Sequence, residues 1–110
     1  RLEHFLRMHE AGVVMVAGSD SAWGDYTMGN HQIEIETHVV GGMSPMEAIV
    51  ATTKDAARSC WIDDRVGVLE EGKLADILVV NGNPSSRIED IRNVVDVYLG
   101  GDLVDRNDFV

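Results

Sequence analysis

The longest uninterrupted apolar stretch of this chain covers only residues 13–17 (Val-Val-Met-Val-Ala). It is rich in β-branched residues and continuous rather than alternating, which is typical of a strand buried on both faces of a parallel sheet. Gly12 precedes it and suits the end of a helix, because glycine tolerates a positive φ. A polar loop that includes Asp20 follows it. A helix, a glycine, a buried strand and a polar loop in succession predict an α/β fold.

The composition excludes several classes of protein. The chain has 110 residues, the size of one ordinary domain, and its 19 acidic and 9 basic residues give a net charge of −10. Such a surface repels phosphate backbones and anionic lipid, so we expect neither nucleic acid nor a membrane as a partner. A single cysteine permits no intrachain disulfide and no cysteine-based zinc site. The first residues lack a signal-like pattern, and we expect a cytoplasmic protein.

The start of the chain looks like the middle of a structural element. Leu2, Phe5, Leu6 and His9 follow helical spacing, and no capping residue precedes them. The chain also begins with Arg1 rather than methionine. We therefore expect it to be a fragment of a longer protein.

Two further helices are indicated in the middle of the chain. The first covers residues 31–40 and ends at a glycine pair. The second begins at Ser44, followed by Pro45 and then Glu47, which together form a capping box with proline at the first helical position. Its apolar stripe is expected to face a core, with Cys60 as a buried structural thiol. The members of that stripe are Met46, Ile49, Val50, Thr53, Ala56, Ala57 and Cys60.

The last third of the chain has the pattern of strands. Residues 65–73 predict a short strand or extended piece with a tight turn, and residues 75–80 predict a strand that stops at an Asn-Gly-Asn-Pro sequence. Residues 94–99 and 103–104, separated by Gly-Gly-Asp, predict a β-hairpin. An α/β region is therefore followed by a small β-rich region.

Asp20 is the first candidate for chemistry. A carboxylate directly after a buried strand lies at the edge of the sheet where α/β folds place their sites. Metal-assisted hydrolysis needs an oxygen ligand that also takes a proton from bound water. The alternative is that Asp20 caps a turn or a helix, a frequent role of aspartate. Trp23 and Tyr26, in the loop that follows, either line a pocket or pack over its mouth.

His31, Glu34 and His38 form a second candidate. On a helix these residues share one face, and such a set is able to bind a metal ion. The alternative, which we favour, is an amphipathic helix whose polar side happens to carry histidines. Under the metal hypothesis the chain itself would take up zinc stoichiometrically.

Several segments together resemble the amidohydrolase superfamily. Residues 11–20 resemble its last barrel strand, which ends in Gly-Thr/Ser-Asp. Residues 42–49 and 51–57 resemble its Gly-Leu-Thr-Pro-x-Glu-Ala and Ala-Thr-x-x-x-Ala-Ala segments, and residues 66–80 resemble its Gly-x-Leu-x-x-Gly-Lys-x-Ala-Asp segment. Their order and spacing cover nearly the whole chain, and the imidazolonepropionase-like and prolidase-like branch is the most similar.

The resemblance implies a fold, an activity and a role for Asp20. The fold is a (β/α)8 TIM-type barrel, with its last strand and helices in residues 1–62, and a small β-sandwich, with its C-terminal strands in residues 63–110. The activity is metal-dependent hydrolysis of an amide or other C–N bond in a small molecule or peptide, such as a dipeptide or an N-acyl amino acid. One or two divalent ions, expected to be zinc, would be bound in part by Asp20, which also accepts a proton from the attacking water.

The chain departs from the family in its metal ligands. No His-x-His pair occurs in it, and one carboxylate does not hold a catalytic ion against water. We therefore expect the chain alone to be inactive and to represent the last quarter of a longer enzyme. Its apolar strand would lack partners, which predicts self-association of the fragment, or a homo-oligomer of the parent. The alternative function is a non-catalytic binding or assembly module derived from the same fold.

Overall fold

The computed structural model describes residues 2–20 and 29–109 and arranges them as helices followed by a small sheet. The elements are α1 (Leu2–Glu10), α2 (Gln32–Val40), α3 (Pro45–Thr52), α4 (Lys54–Ser59), β1 (Ile77–Val80), the 3₁₀-helix η1 (Ile88–Arg92), β2 (Val94–Leu99), β3 (Asp102–Leu103) and the 3₁₀-helix η2 (Arg106–Phe109). This confirms the expected α/β character, while the division into barrel and sandwich parts stays a prediction. Trp23 and Tyr26 lie outside the described residues. Among the described helices, none has the length and apolar character needed to cross a membrane.

The segment 13–17 does not form the strand that its sequence predicts. Within the described residues it joins no sheet. Val13, Val14 and Val16 are 49%, 70% and 41% exposed, so the expectation of burial on both faces is wrong for this chain. A strand of this kind needs a neighbour on each edge, and the strands that the chain does form pair with one another instead.

The end of α1 follows its sequence signal. Gly12 has a φ of +78°, and the backbone N–H groups of Gly12 and Val13 donate to the carbonyls of His9 and Met8, at 2.9 and 3.0 Å. This is a Schellman motif with glycine at the left-handed position, where a Cβ would be strained. The prediction that Gly12 ends the helix is confirmed.

The capping box at the start of α3 is also confirmed. The backbone N–H of Ser44 donates to the Glu47 carboxylate at 2.7 Å, and the Glu47 N–H donates to the Ser44 hydroxyl oxygen at 3.3 Å. Pro45 occupies the first helical position. The hydrogen bonds from Ser44 hold the pKa of Glu47 below its ordinary value. These local bonds fix where the helix begins.

The single helix expected after Ser44 is divided at Thr53. The backbone there has φ −110° and ψ −82°, so α3 ends at Thr52 and α4 begins at Lys54. The hydroxyls of Thr52 and Thr53 donate to the carbonyls of Ala48 and Ile49, at 2.9 and 2.7 Å. Threonine hydroxyls that bond the preceding turn tend to bend helices, which accounts for the break.

The predicted apolar stripe of α3 and α4 is buried only in part, because Ala57 is buried and Ile49 packs against the core cluster. The residues that are buried are Ala48, Ala51 and Ala57, whereas Met46 is 50% exposed. Cys60 is exposed, so its assignment as a buried thiol is wrong. Ala48 and Ala51 belong to the cluster that contains Ile35 of α2, whereas Ile49, Ala57 and Cys60 are among the residues that line an open groove of about 770 Å³ between α4 and β1.

The sheet confirms the predicted hairpin and the preceding strand. β1 pairs antiparallel with β2, with Ile77 opposite Tyr98, and β2 pairs antiparallel with β3, with Tyr98 opposite Leu103. The Asp76 carboxylate accepts from the Gly100 N–H at 2.7 Å and ties the hairpin turn to β1. Residues 65–73 contain no strand; they follow turns, one of which is closed from Lys73 N–H to the Glu70 carbonyl.

One hydrophobic cluster joins the helices to the sheet region. It is contributed by α2, by α3 with the turn before it, and by η1, which the sequence did not predict. Its members are Ile35, Met43, Ala48, Ala51, Ile88 and Ile91. The buried Asp90 carboxylate supports η1, because it accepts from the Asn83 N–H at 2.9 Å and from the Arg87 guanidinium at 2.8 Å. These bonds lower the pKa of Asp90, that from Arg87 most.

α4 ends in a second Schellman motif, but with tryptophan at the left-handed position. The N–H groups of Trp61 and Ile62 donate to the carbonyls of Arg58 and Ala57, both at 3.1 Å. Trp61 has a φ of +59°, and its side chain is 91% exposed. The indole therefore gains little burial in return for the strained backbone.

We expect Trp61→Gly to raise the free energy of unfolding of the chain by about 1 kcal/mol, since glycine removes the left-handed strain. Chemical denaturation followed by circular dichroism measures this. The matched control is Arg58→Gly inside α4, which should lower the free energy of unfolding by about 1 kcal/mol. A loss of stability in Trp61→Gly would contradict the strain assigned to this position.

Candidate functional site

Asp20 lies at the C-terminal end of the segment 13–20, just before the residues that the structure leaves undescribed. Its backbone has a φ of +47°, a left-handed conformation that aspartate tolerates better than most residues. The residue is exposed, and among the described residues its carboxylate contacts neither a hydrogen-bond donor nor a cation. Left-handed residues other than glycine are enriched at functional sites, so the conformation supports Asp20 as a candidate without assigning its role.

The second candidate set lies on α2, but its members do not converge. His31 and Glu34 are half-buried and His38 is buried, 7% exposed. In the part of the chain that the structure describes, no three side chains of His, Cys, Asp or Glu are grouped so as to hold a metal ion. His38 instead packs its ring on Phe5, with 5.0 Å between the ring centroids. The expectation that the histidines lie on the polar side of α2 is therefore wrong for His38, which is buried on the same helix as Ile35.

An ion pair that the sequence did not indicate connects α2 to η1. The Arg92 guanidinium donates to both carboxylate oxygens of Glu36, at 2.5 and 2.7 Å, and to the Asn30 side-chain oxygen at 3.1 Å. The hydrogen bond from Arg92 holds the pKa of Glu36 below its ordinary value. Arg92 and Glu36 are 56 residues apart, and no local pattern marks such a pair. The bridge fixes Asn30, on the far side of the undescribed loop from Asp20, to η1.

The described residues do not by themselves fit a metal ion. Asp20 is one oxygen ligand, whereas a structural or catalytic zinc site takes at least three protein ligands. Residues 2–20 and 29–109 provide no group of three ligands at all. A metal bound at Asp20 would therefore need further ligands from outside the described residues.

The chain matches known proteins over nearly its whole length. A model of the amidohydrolase family matches residues 1–104. Ochratoxinase of Aspergillus niger is 36% identical over 98 residues, which are 86% of this chain and 20% of that protein. Imidazolonepropionase of Thermoplasma volcanium is 32% identical over 101 residues, 86% of this chain and 24% of that protein.

The fold is also similar to a solved structure. A crystal structure of a Xaa-Pro dipeptidase with methionine bound in the active site superposes with a TM-score of 0.86 and 34% identity. The match covers 94% of this chain and 25% of the dipeptidase. This chain therefore spans a fifth to a quarter of the length of these relatives. The similarity to the imidazolonepropionase-like and prolidase-like branch is confirmed.

We expect the isolated chain to take up no stoichiometric zinc at micromolar concentration, because Asp20 stands alone and the α2 residues do not converge. Isothermal titration calorimetry of the metal-free chain with zinc chloride measures this. Binding of one equivalent that is lost in His38→Gln and retained in His4→Gln would contradict the prediction and restore the α2 site.

Proposed function

We propose a function from one premise, that this chain belongs to the amidohydrolase family. Its relatives are hydrolases that act on C–N bonds. The proposal is that the chain is the C-terminal part of a metal-dependent amidohydrolase of the (β/α)8 type, whose substrate is a small amide or peptide such as a dipeptide or an N-acyl amino acid. The chain alone is inactive.

The observation that supports this most is the position of Asp20. Its exposed carboxylate follows the apolar segment, in a left-handed conformation and without a structural partner among the described residues. A carboxylate that no described contact of the fold occupies is available for chemistry. In this proposal Asp20 accepts the proton of the attacking water and passes it to the leaving amine.

The family usually binds divalent metals, and zinc is the ion that we propose. Asp20 would supply one oxygen ligand, and the remaining ligands would come from outside the described residues. When bound, such an ion lowers the pKa of water and polarises a carbonyl. The cytoplasmic location expected from the sequence stays a prediction.

The test is a chimaera in which this chain replaces the matching region of Aspergillus niger ochratoxinase. In a chimaera with activity toward that enzyme's own substrate, we expect Asp20→Asn to lower kcat/KM at least about 100-fold, because the amide neither takes up nor releases the proton. The matched control is Asp64→Asn, which neutralises another exposed carboxylate and should leave kcat/KM within about twofold. Retention of activity in Asp20→Asn would refute the role of Asp20.

A binding or assembly function is the second candidate, and the open segment 13–17 favours it. Val14 is 70% exposed, and the segment is paired to no described strand, so it offers a template to another chain. We propose that the occupant is a second copy of this chain. Asp20→Asn should leave such association intact, which separates it from catalysis.

We expect static light scattering at high concentration to give a mass above the 12.1 kDa of one chain. Val14→Lys should restore the monomer mass, because it places a charge in the shared apolar surface. The matched control is Val40→Lys on α2, where the valine is 71% exposed; it should leave the association unchanged. A monomer at high concentration would refute this second candidate.

A further inference from the structure

His38 is a buried titratable group that the proposed function does not use. Its side chain lies on the inner face of α2, the residue is 7% exposed, and its Nδ1 atom meets no hydrogen-bond partner among residues 2–20 and 29–109. Buried ring nitrogens are almost always paired, and a neutral ring tolerates an unpaired nitrogen far better than a charged ring does. The site therefore suits neutral imidazole.

The ring of His38 also forms part of the surface against which α1 packs. Phe5 stacks on it at 5.0 Å between ring centroids, with 35° between the planes. Gly41 lies directly beneath Phe5, because a Cβ there would come within 2.5 Å of the Phe5 ring, and Leu6 lies against Gly42. α1 itself has no buried residue. Its docking thus depends on a small contact in which the His38 ring is central.

Among the described residues, few charged groups near His38 are free to stabilise a protonated His38 ring. Glu34 and His31 act on it from its own helix, in opposite directions. On the η1 side, Arg92 is bound to Glu36 and Asp90 to Arg87. On the α1 and α3 side, His9 lies 3.7 Å from Glu47. This last pair gains strength when His9 is protonated, and it therefore opposes release of α1 in acid.

We propose that His38 is an acid-sensitive latch for α1, so that protonation of its ring releases Phe5 and undocks the helix. The charged ring requires hydration and a partner for Nδ1, and both become accessible when Phe5 moves away. α2 and α3 stay together, because Ile35 and Ala48 belong to the cluster formed with η1. The released element is α1, which has no buried residue, whereas α2, α3 and α4 each have at least one.

The sign of the pH dependence follows from burial. Burial lowers the pKa of His38 below its ordinary value of 6.5, Glu34 raises it in part, and His31 lowers it further. In the undocked state the ring is in water and regains an ordinary pKa. Docking is therefore fully stable above about pH 6.5 and loses stability as the pH falls from there to the folded pKa.

Hydrogen exchange of the 110-residue chain tests the latch. We expect the protection factors of the amides in residues 6–13, corrected for intrinsic exchange, to fall more than twofold and at most about tenfold between pH 7.5 and pH 5.5. The amides of residues 49–52 in α3 should change by less than twofold. NMR titration of the His38 ring in the same sample should show a pKa below 6.5.

Three variants separate the latch from general acid sensitivity. His38→Phe keeps an aromatic ring beside Phe5 and removes the titration, so protection of residues 6–13 should become independent of pH. His31→Gln should retain most of the fall, because burial and not His31 is the main cause of the shift, and His9→Gln should enlarge it. A flat profile in the unaltered chain, an unchanged fall in His38→Phe, or a His38 ring that titrates at 6.5 or above would overturn the proposal. If His38→Phe does not fold, the pKa of the His38 ring measured by NMR in the unaltered chain still tests the proposal.

Discussion

The structure depends on the packing of η1 against α2 and α3. Ile88 and Ile91 are 4% and 8% exposed, and they bury themselves beside Ile35 rather than against the sheet that follows them. Two polar anchors hold this packing in place, the buried Asp90 carboxylate within η1 and the bidentate bond from Arg92 to α2. Since the short 3₁₀-helix has little stability of its own, these contacts decide where β2 begins. The core is thus formed by α2, α3 and η1, and it joins residues from both sides of the boundary predicted at residues 62 and 63.

The hydrophobic core is small for a chain of 110 residues. Among the described residues no large side chain is fully buried, and three of the seven buried apolar residues are alanines. The radius of gyration is 14.6 Å, against about 13 Å for a compact domain of this length. Two apolar surfaces stay open, the segment 13–17 and the groove beside α4.

The sequence predicted those features that depend on a few neighbouring residues. The Ser44 capping box, the end of α1 at Gly12 and the hairpin at residues 94–104 each have a local chemical cause. The buried face of α3, the exposure of Cys60 and the Arg92 bridge depend on which distant segments are present to pack. Helical spacing identifies an apolar stripe, but here Ala48 and Ala51, which lie outside that stripe, are the residues of α3 buried in the cluster with α2. The same limit applies to the candidate site, for which the sequence provides Asp20 but not the ligands that would surround it.

The two Schellman motifs place residues of very different left-handed propensity in the same backbone conformation. Gly12 and Trp61 occupy equivalent left-handed positions with the same pair of backbone bonds. Glycine adopts this conformation without strain, whereas tryptophan does so at a cost and leaves its indole 91% exposed. The burial of α4 rests on Ala57 and not on the indole. Tryptophan therefore occupies this position at a cost to folding stability, between Cys60 and Ile62, two residues that line the open groove.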